Sequence, residues 1–326
     1  MQQSQTIRFQ KTRDFGAKLN ASFEFIRANF KNLMLSILYI AGPAIVIFGV
    51  FNGYYQKYAF NFTQIVQGDT IFSSELFITL GGMLIFGTIA QLLTVTIILE
   101  YVNLYNEKLS SEITVDEVWI RVKGSLGKVV GSTFIFIIAS MIFFGLIAFL
   151  MFGVGSSAGS SGAGVMLFLM FLIIPLILYI SISLAIFFNI MLHEKHPVSE
   201  FGTILKRSFY LVKNKWWSTF GLVIVSGILR SVMAVVFSLP MMGILIFNVF
   251  SSAHGEEAPQ ALWYDIILIL SSIIAMLGSY LLQTIPVLAV TFQYFNLVEL
   301  KDATGLIDEI ETLGTTESTD DIEETY

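Results

Sequence analysis

Along this chain, long apolar runs alternate with shorter stretches in which apolar residues recur at helical spacing. The runs cover 33–51, 76–99, 129–154, 165–192, 216–240 and 266–297. Each is near or above the ~20 residues that carry an α-helix across a bilayer. No Asp, Glu, Lys, Arg or His lies between Val129 and Leu192, which leaves room for two spans with the Gly/Ser segment 155–164 as their turn. The pattern predicts an all-α integral membrane protein with six transmembrane helices. Span five is expected to close at Pro240, with 241–250 outside it, and Pro43 and Pro175 are expected to be tolerated inside spans one and four because neighbours can satisfy the freed carbonyls.

The amphipathic stretches repeat. Residues 200–217 (EFGTILKRSFYLVKNKWW) match 14–30 (DFGAKLNASFEFIRANF) without gaps, pairing Phe15 with Phe201, Gly16 with Gly202, Leu19 with Leu205 and Ser22 with Ser208. A fainter copy at 114–130 keeps Val118, Val122 and Val129 where the later one has Leu205, Phe209 and Trp216. Wound at ~100° per residue, the last copy gathers Phe201, Ile204, Leu205, Ser208, Phe209, Val212 and Trp216 on one side. Lys206, Arg207, Lys213 and Asn214 fall on the other. Such a helix, joined to a span, is expected to lie in the interface with its lysines toward anionic headgroups. The same winding gives stripes of Phe15, Leu19, Phe23, Ile26 and Phe30 in the first copy, and of Val115, Val118, Trp119, Val122, Leu126 and Val129 in the second.

Span exits recur as well. An aromatic residue, an apolar residue three later and a lysine seven later mark Tyr101/Leu104/Lys108, Phe188/Met191/Lys195 and Tyr294/Leu297/Lys301. The organisation predicted is a flexible N-terminus (1–10), three repeats (11–110, 111–196 and 197–301), each of one interfacial amphipathic helix and two spans, and an acidic cytoplasmic tail (302–326). Because each repeat holds two spans, all copies enter from one side, as in parallel-repeat transporters. Three hairpins around a common centre, with a collar of three interfacial helices, is the expected arrangement.

Composition agrees with the pattern. Hydrophobic residues make up 55% and charged residues 13%, against about 25% charged in soluble domains. The formal charge of −6 belongs to the tail, which from Glu299 onward carries ten acids and one lysine; the remainder is mildly basic. Sixteen Lys and Arg fall on one side of the predicted spans and Lys57 alone on the other. The positive-inside rule then puts both termini and the amphipathic helices in the cytoplasm, in a cytoplasmic (inner) membrane. Cysteine is absent, which excludes disulfides and thiolate chemistry. The N-terminal residues lack the apolar core and cleavage site of a signal peptide, and in the tail Leu306, Ile307, Ile310 and Leu313 are spaced for one short amphipathic helix ahead of a segment expected to be disordered.

Arg230 is the one strongly charged residue inside a predicted span. It lies 13 residues beyond Trp217, or ~20 Å along a helix, past the midplane. Its expected neighbours are Gln91, Ser181, Ser183, Ser279, Tyr280 and Gln283, or an anionic lipid phosphate; the other reading has it snorkelling outward onto backbone carbonyls. The candidate lipid or anion contacts are therefore Arg230, Gln91, Gln283, Lys206, Arg207 and Lys213. His193 and His196 bracket Glu194-Lys195 but lack the further ligands of a metal site. No H-E-x-x-H or phosphate-binding loop occurs. No catalytic residue, metal or cofactor is expected, and no nucleic-acid partner.

At EFGTILKRSFYLVKNKWWSTFGLVIVSGIL (200–229) the chain resembles the multi-span integral membrane domain that accompanies some bacterial glycerophosphodiester phosphodiesterases, and its stand-alone relatives of unknown function. The likeness is an amphipathic S-F/W-x-L-V-K/R-x-x-W-W segment feeding a glycine-bearing span. It implies fold and location only, since that family's catalysis resides in a soluble domain that nothing here matches. The expected function is a non-catalytic lipid- or partner-binding component that organises the membrane, with membrane lipids, mainly anionic, as partners. The alternative is a small transporter or lipid-handling protein with a site near Arg230.

Overall fold

The computed structural model describes residues 7–60, 74–108, 112–157, 162–194, 200–254 and 262–303. Among these the chain is helical without strands: α1 (Phe15–Ile40), α2 (Gly42–Phe60), α3 (Ser74–Lys108), α4 (Val115–Ser157), α5 (Gly162–Leu184), α6 (Phe187–His193), α7 (Phe201–Val212), α8 (Trp216–Ala253), α9 (Leu262–Leu282) and α10 (Thr284–Asp302), with a 3-10 turn at Lys213–Lys215 between α7 and α8. The centre of the Gly/Ser turn, Lys195, His196 and the tail beyond Ala303 lie outside the described residues.

Five stretches are long and apolar enough to cross a membrane: Ser74–Lys108, Val115–Gly153, Phe168–His193, Phe201–Ser251 and Leu262–Asp302. The first predicted span is the exception, because the helix breaks at Ala41 and α1 meets Gly42–Lys57 at 62°. Proline causes the break. Pro43 offers no N–H, its ring opposes the carbonyl four residues back, and it restricts the residue before it. Counted together, the bent pair brings the number of spans to six. Prolines further on act differently. Pro175 sits inside α5 and Pro240 inside α8, so span five does not end at Pro240 but continues to Ala253. In the turn before Pro240 the Ser238 hydroxyl donates to the Val235 carbonyl at 2.9 Å, the kind of side-chain bond that helps a membrane helix carry a proline.

Two compact units emerge, and their boundaries fall inside α1, α4, α8 and α10 rather than between the predicted repeats. The unit built from Ser22–Leu126 and Ile224–Leu288 centres on α2, packed between α3 and α9. Four positions of α2 at helical spacing meet α9 in antiparallel order. A Cβ on Gly49 would lie 2.8 Å from the Ile273 Cα, and one on Gly53 would lie 2.9 Å from that of Ile269. Asn52 accepts from the Ser272 hydroxyl at 3.0 Å, and Lys57 pairs with Asp265 at 2.7 Å. This is the small-residue packing by which membrane helices bring their backbones together. On the other side Phe51 and Phe48 lie over Gly82 and Gly87 of α3.

The other unit is built from residues up to Ala21, from Gly127–Val223 and from Ala289 onward. Its core joins Phe9 to Phe292, stacked at 4.5 Å, and Phe187 to Phe136 and Phe201 at 4.8 and 5.2 Å. In each unit the predicted exits pack on amphipathic segments. Glu107 and Lys108 pair with Arg121 and Glu117, Glu194 pairs with Arg207, and Asn296 and Gln293 accept from the Arg13 backbone N–H and from Lys18. The third exit thus takes its partner from the first copy.

The second amphipathic segment runs without a break into its span as one helix, α4, instead of forming a separate interfacial element. Its buried positions, Val118, Val122 and Val129, belong to the expected stripe. In α1 the buried stripe is Lys18, Ala21, Ser22, Phe25 and Leu33, while Phe15 and Phe30 of the expected apolar stripe are exposed. Protein packs against the small and polar flank of α1 and leaves its aromatic flank outward.

Candidate functional site

α7 and the turn after it carry most of the basic candidates. The helix buries Ile204, Ser208, Leu211 and Val212, which fixes the direction its charged side faces. Lys206 and Lys213 are exposed as expected. Between and beyond them at helical spacing stand Tyr210 and Trp217, the latter 77% exposed. The result is one outward stripe, Lys206, Tyr210, Lys213, Trp217, alternating cation and aromatic ring, with exposed Lys215 beside it.

Arg207 departs from the other candidates on this helix. It is half-buried and turned toward carboxylates, with Nε 3.2 Å from Glu194 Oε1 and a further ion pair to Asp302 at the end of α10. Glu194 also accepts from the Tyr294 hydroxyl at 3.4 Å. Next to it Lys301 donates to the Tyr210 carbonyl, and its ammonium lies 3.8 Å from the Tyr210 ring centroid. α6, α7 and α10 are therefore tied by charge at one place, and Arg207 is a strut within it.

A second polar cluster in the same unit was not apparent in the sequence. Lys18, only 2% exposed, donates to Gln293 Oε1 at 2.6 Å, and Gln293 Nε2 donates to the Thr219 hydroxyl at 2.9 Å. The Ser218 hydroxyl stands 3.5 Å from the same ammonium. Lys18 lies on the small-residue flank of α1, one turn from Ser22, so burying that flank carries the lysine inward with it. Gln293 is one of two Gln residues in the run 266–297, and nothing in that run marks it as the partner.

Arg230 sits in the other unit, half-buried on α8. Its Nη2 donates to the Ser279 hydroxyl at 2.7 Å and its Nε to the Ser279 carbonyl at 3.3 Å. Beside Ser279, Tyr280 donates to the Gly87 carbonyl at 3.2 Å. The approach is close because Phe237, two turns along α8, lies directly over Gly278, where any Cβ would collide with its ring. Of the neighbours named from sequence, Ser279 bonds the guanidinium. Ser183 donates to the Tyr179 carbonyl instead, Gln91 is exposed and Gln283 half-buried. Among the described residues no group of three or more His, Asp or Glu side chains is placed to hold a metal ion. His193 stacks on Tyr294 at 5.7 Å and is tilted against Phe295 at 5.1 Å.

No protein family, no curated protein and no solved structure matches the chain.

Proposed function

We propose that this polytopic membrane protein has no catalytic site and binds anionic lipid headgroups through the basic side of α7, as a lipid- or partner-binding organiser of the cytoplasmic membrane. The carrying observation is the exposed stripe Lys206, Tyr210, Lys213, Trp217 at the mouth of a long apolar helix. Trp and Tyr favour the headgroup level, and each lysine near an anionic surface contributes about 1 kcal/mol. The contacts between exits and amphipathic segments support a repeated pairing of the two. The test is mass spectrometry of lipid retained on purification. Lys206→Gln/Lys213→Gln should weaken retention of anionic phospholipid by about 2 kcal/mol, roughly 30-fold, with a dependence on salt. Unchanged retention contradicts the proposal.

A second reading, a transporter or lipid-handling site at Arg230, is favoured by a guanidinium at depth in a span whose described hydrogen bonds both go to neutral Ser279 groups. Intramembrane charge of this kind marks ligand pathways in other membrane proteins. Arg230→Gln should then remove one tightly held anionic lipid and spare the salt-sensitive pool. An unaltered lipid complement leaves Arg230 with a packing role.

A further inference from the structure

The described chain ends at the place where α7 is held by acids. Asp302, the last residue of α10, already pairs with Arg207. The chain then leaves α10 through Ala303, at φ 50°, whose N–H bonds the Glu299 carbonyl at 3.1 Å. That is a left-handed helix cap, unusual for a residue other than Gly or Asn, and it turns the chain off the helix axis. Beyond it come 23 residues with eight acids and no Lys or Arg, the nearest being Asp308, Glu309 and Glu311.

Lys206 adjoins the Arg207 anchor in sequence, and Lys213 and Lys215 follow within two turns or so, roughly 10 Å at 1.5 Å per residue. Asp308 is six residues past Asp302, a reach of up to ~20 Å for extended chain. Reach and charge sign therefore both match, and the last acid of the helix, Asp302, already makes the contact that the later ones would extend.

We infer that the acidic segment 304–326 docks on the exposed basic side of α7, with Asp308, Glu309 and Glu311 against Lys206, Lys213 and Lys215, and competes there with anionic headgroups. The competition rests on the lipid reading above; the docking does not. With the tail in place the stripe is neutralised, and an anionic leaflet must displace it to engage Lys206 and Lys213. Interactions of this kind are short-ranged at physiological salt, where the screening length is about 8 Å. High salt therefore weakens the tail contact and the lipid contact alike, so salt cannot tell them apart; lipid charge can.

Because the chain has no cysteine, the contact can be trapped directly in the full-length protein. Lys213→Cys with Glu309→Cys, and Lys206→Cys with Asp308→Cys, are oxidised in nanodiscs of phosphatidylcholine alone or with equal parts phosphatidylglycerol. The expected result is an intramolecular disulfide in phosphatidylcholine that falls several-fold when phosphatidylglycerol is present. In parallel, Asp308→Asn/Glu309→Gln/Glu311→Gln, which keeps tail length and leaves every described contact in place, should raise phosphatidylglycerol retention several-fold. Absence of the disulfide in phosphatidylcholine overturns the docking, whatever lipid is retained. A disulfide indifferent to phosphatidylglycerol, with retention unchanged in the neutralised tail, overturns the competition. If Lys206→Gln/Lys213→Gln still lowers retention while no disulfide forms, the lipid reading survives and this inference fails.

Discussion

Gly49 and Gly53 show how much one hydrogen atom in place of a methyl group decides here. Each lies against an isoleucine backbone of α9, and a Cβ at Gly49 would come within 2.8 Å of the Ile273 Cα. Overpacking of a close-packed interface costs ~1–3 kcal/mol. Gly49→Ala should accordingly lower the thermal midpoint in detergent, whereas Gly81→Ala, with open space around it, should not; equal midpoints would contradict the α2/α9 packing. The Lys18 cluster makes the second residue-scale prediction. Gln293→Leu leaves a buried ammonium short of its 2.6 Å partner and should cost ~1–3 kcal/mol. Adding Lys18→Met should recover much of that loss, a coupling that a double-mutant cycle measures. Additive losses would mean that the two side chains do not act together. The sequence showed Lys18 only as one of sixteen basic residues on one face, because hydropathy counts charge and cannot see which flank of an amphipathic helix the protein covers.

At the scale of elements, the apolar runs located the helices well and their ends less well. Hydropathy measures what lipid tolerates, so it found the spans at 76–99 and 129–154 inside α3 and α4. It could not separate a proline that breaks a helix, as Pro43 does, from one that the helix absorbs, as Pro175 and Pro240 are. Nor does hydropathy separate helices packed on protein from helices that face outward. In α4, none of the most apolar 18-residue stretch is buried, and Phe149 is 74% exposed. α10 by contrast buries Leu288, Ala289, Phe292 and Tyr294. Phe149→Leu should leave stability within ~0.5 kcal/mol, whereas Phe292→Ala, which opens the stack with Phe9, should cost ~3–5 kcal/mol. Chemical denaturation in micelles reads both, and comparable losses at the two sites would overturn the contrast. The basic side of α7 was legible from helical winding alone. That Arg207 turns away from it toward Glu194 and Asp302 was not, since those partners come from other elements, 13 and 95 residues away.

For the molecule as a whole, the lipid and tail contacts proposed for α7 require its lysine-bearing side to meet the cytoplasmic leaflet. Only there can Lys206 and Lys213 meet anionic lipid and the acidic tail together. Charge asymmetry predicts this orientation, with sixteen basic residues on one side and Lys57 on the other. Lys57 has its counterion in Asp265, within the end of the α2/α9 interface that the same rule places outside. A cysteine-free chain makes the decisive measurement simple: single cysteines at Ser111, Lys206, Ser157 and Ser252, challenged in intact cells with a membrane-impermeant maleimide. Ser157→Cys and Ser252→Cys are expected to react from outside, while Ser111→Cys and Lys206→Cys are expected to react only after the membrane is opened. Labelling of Lys206→Cys in intact cells would contradict this orientation.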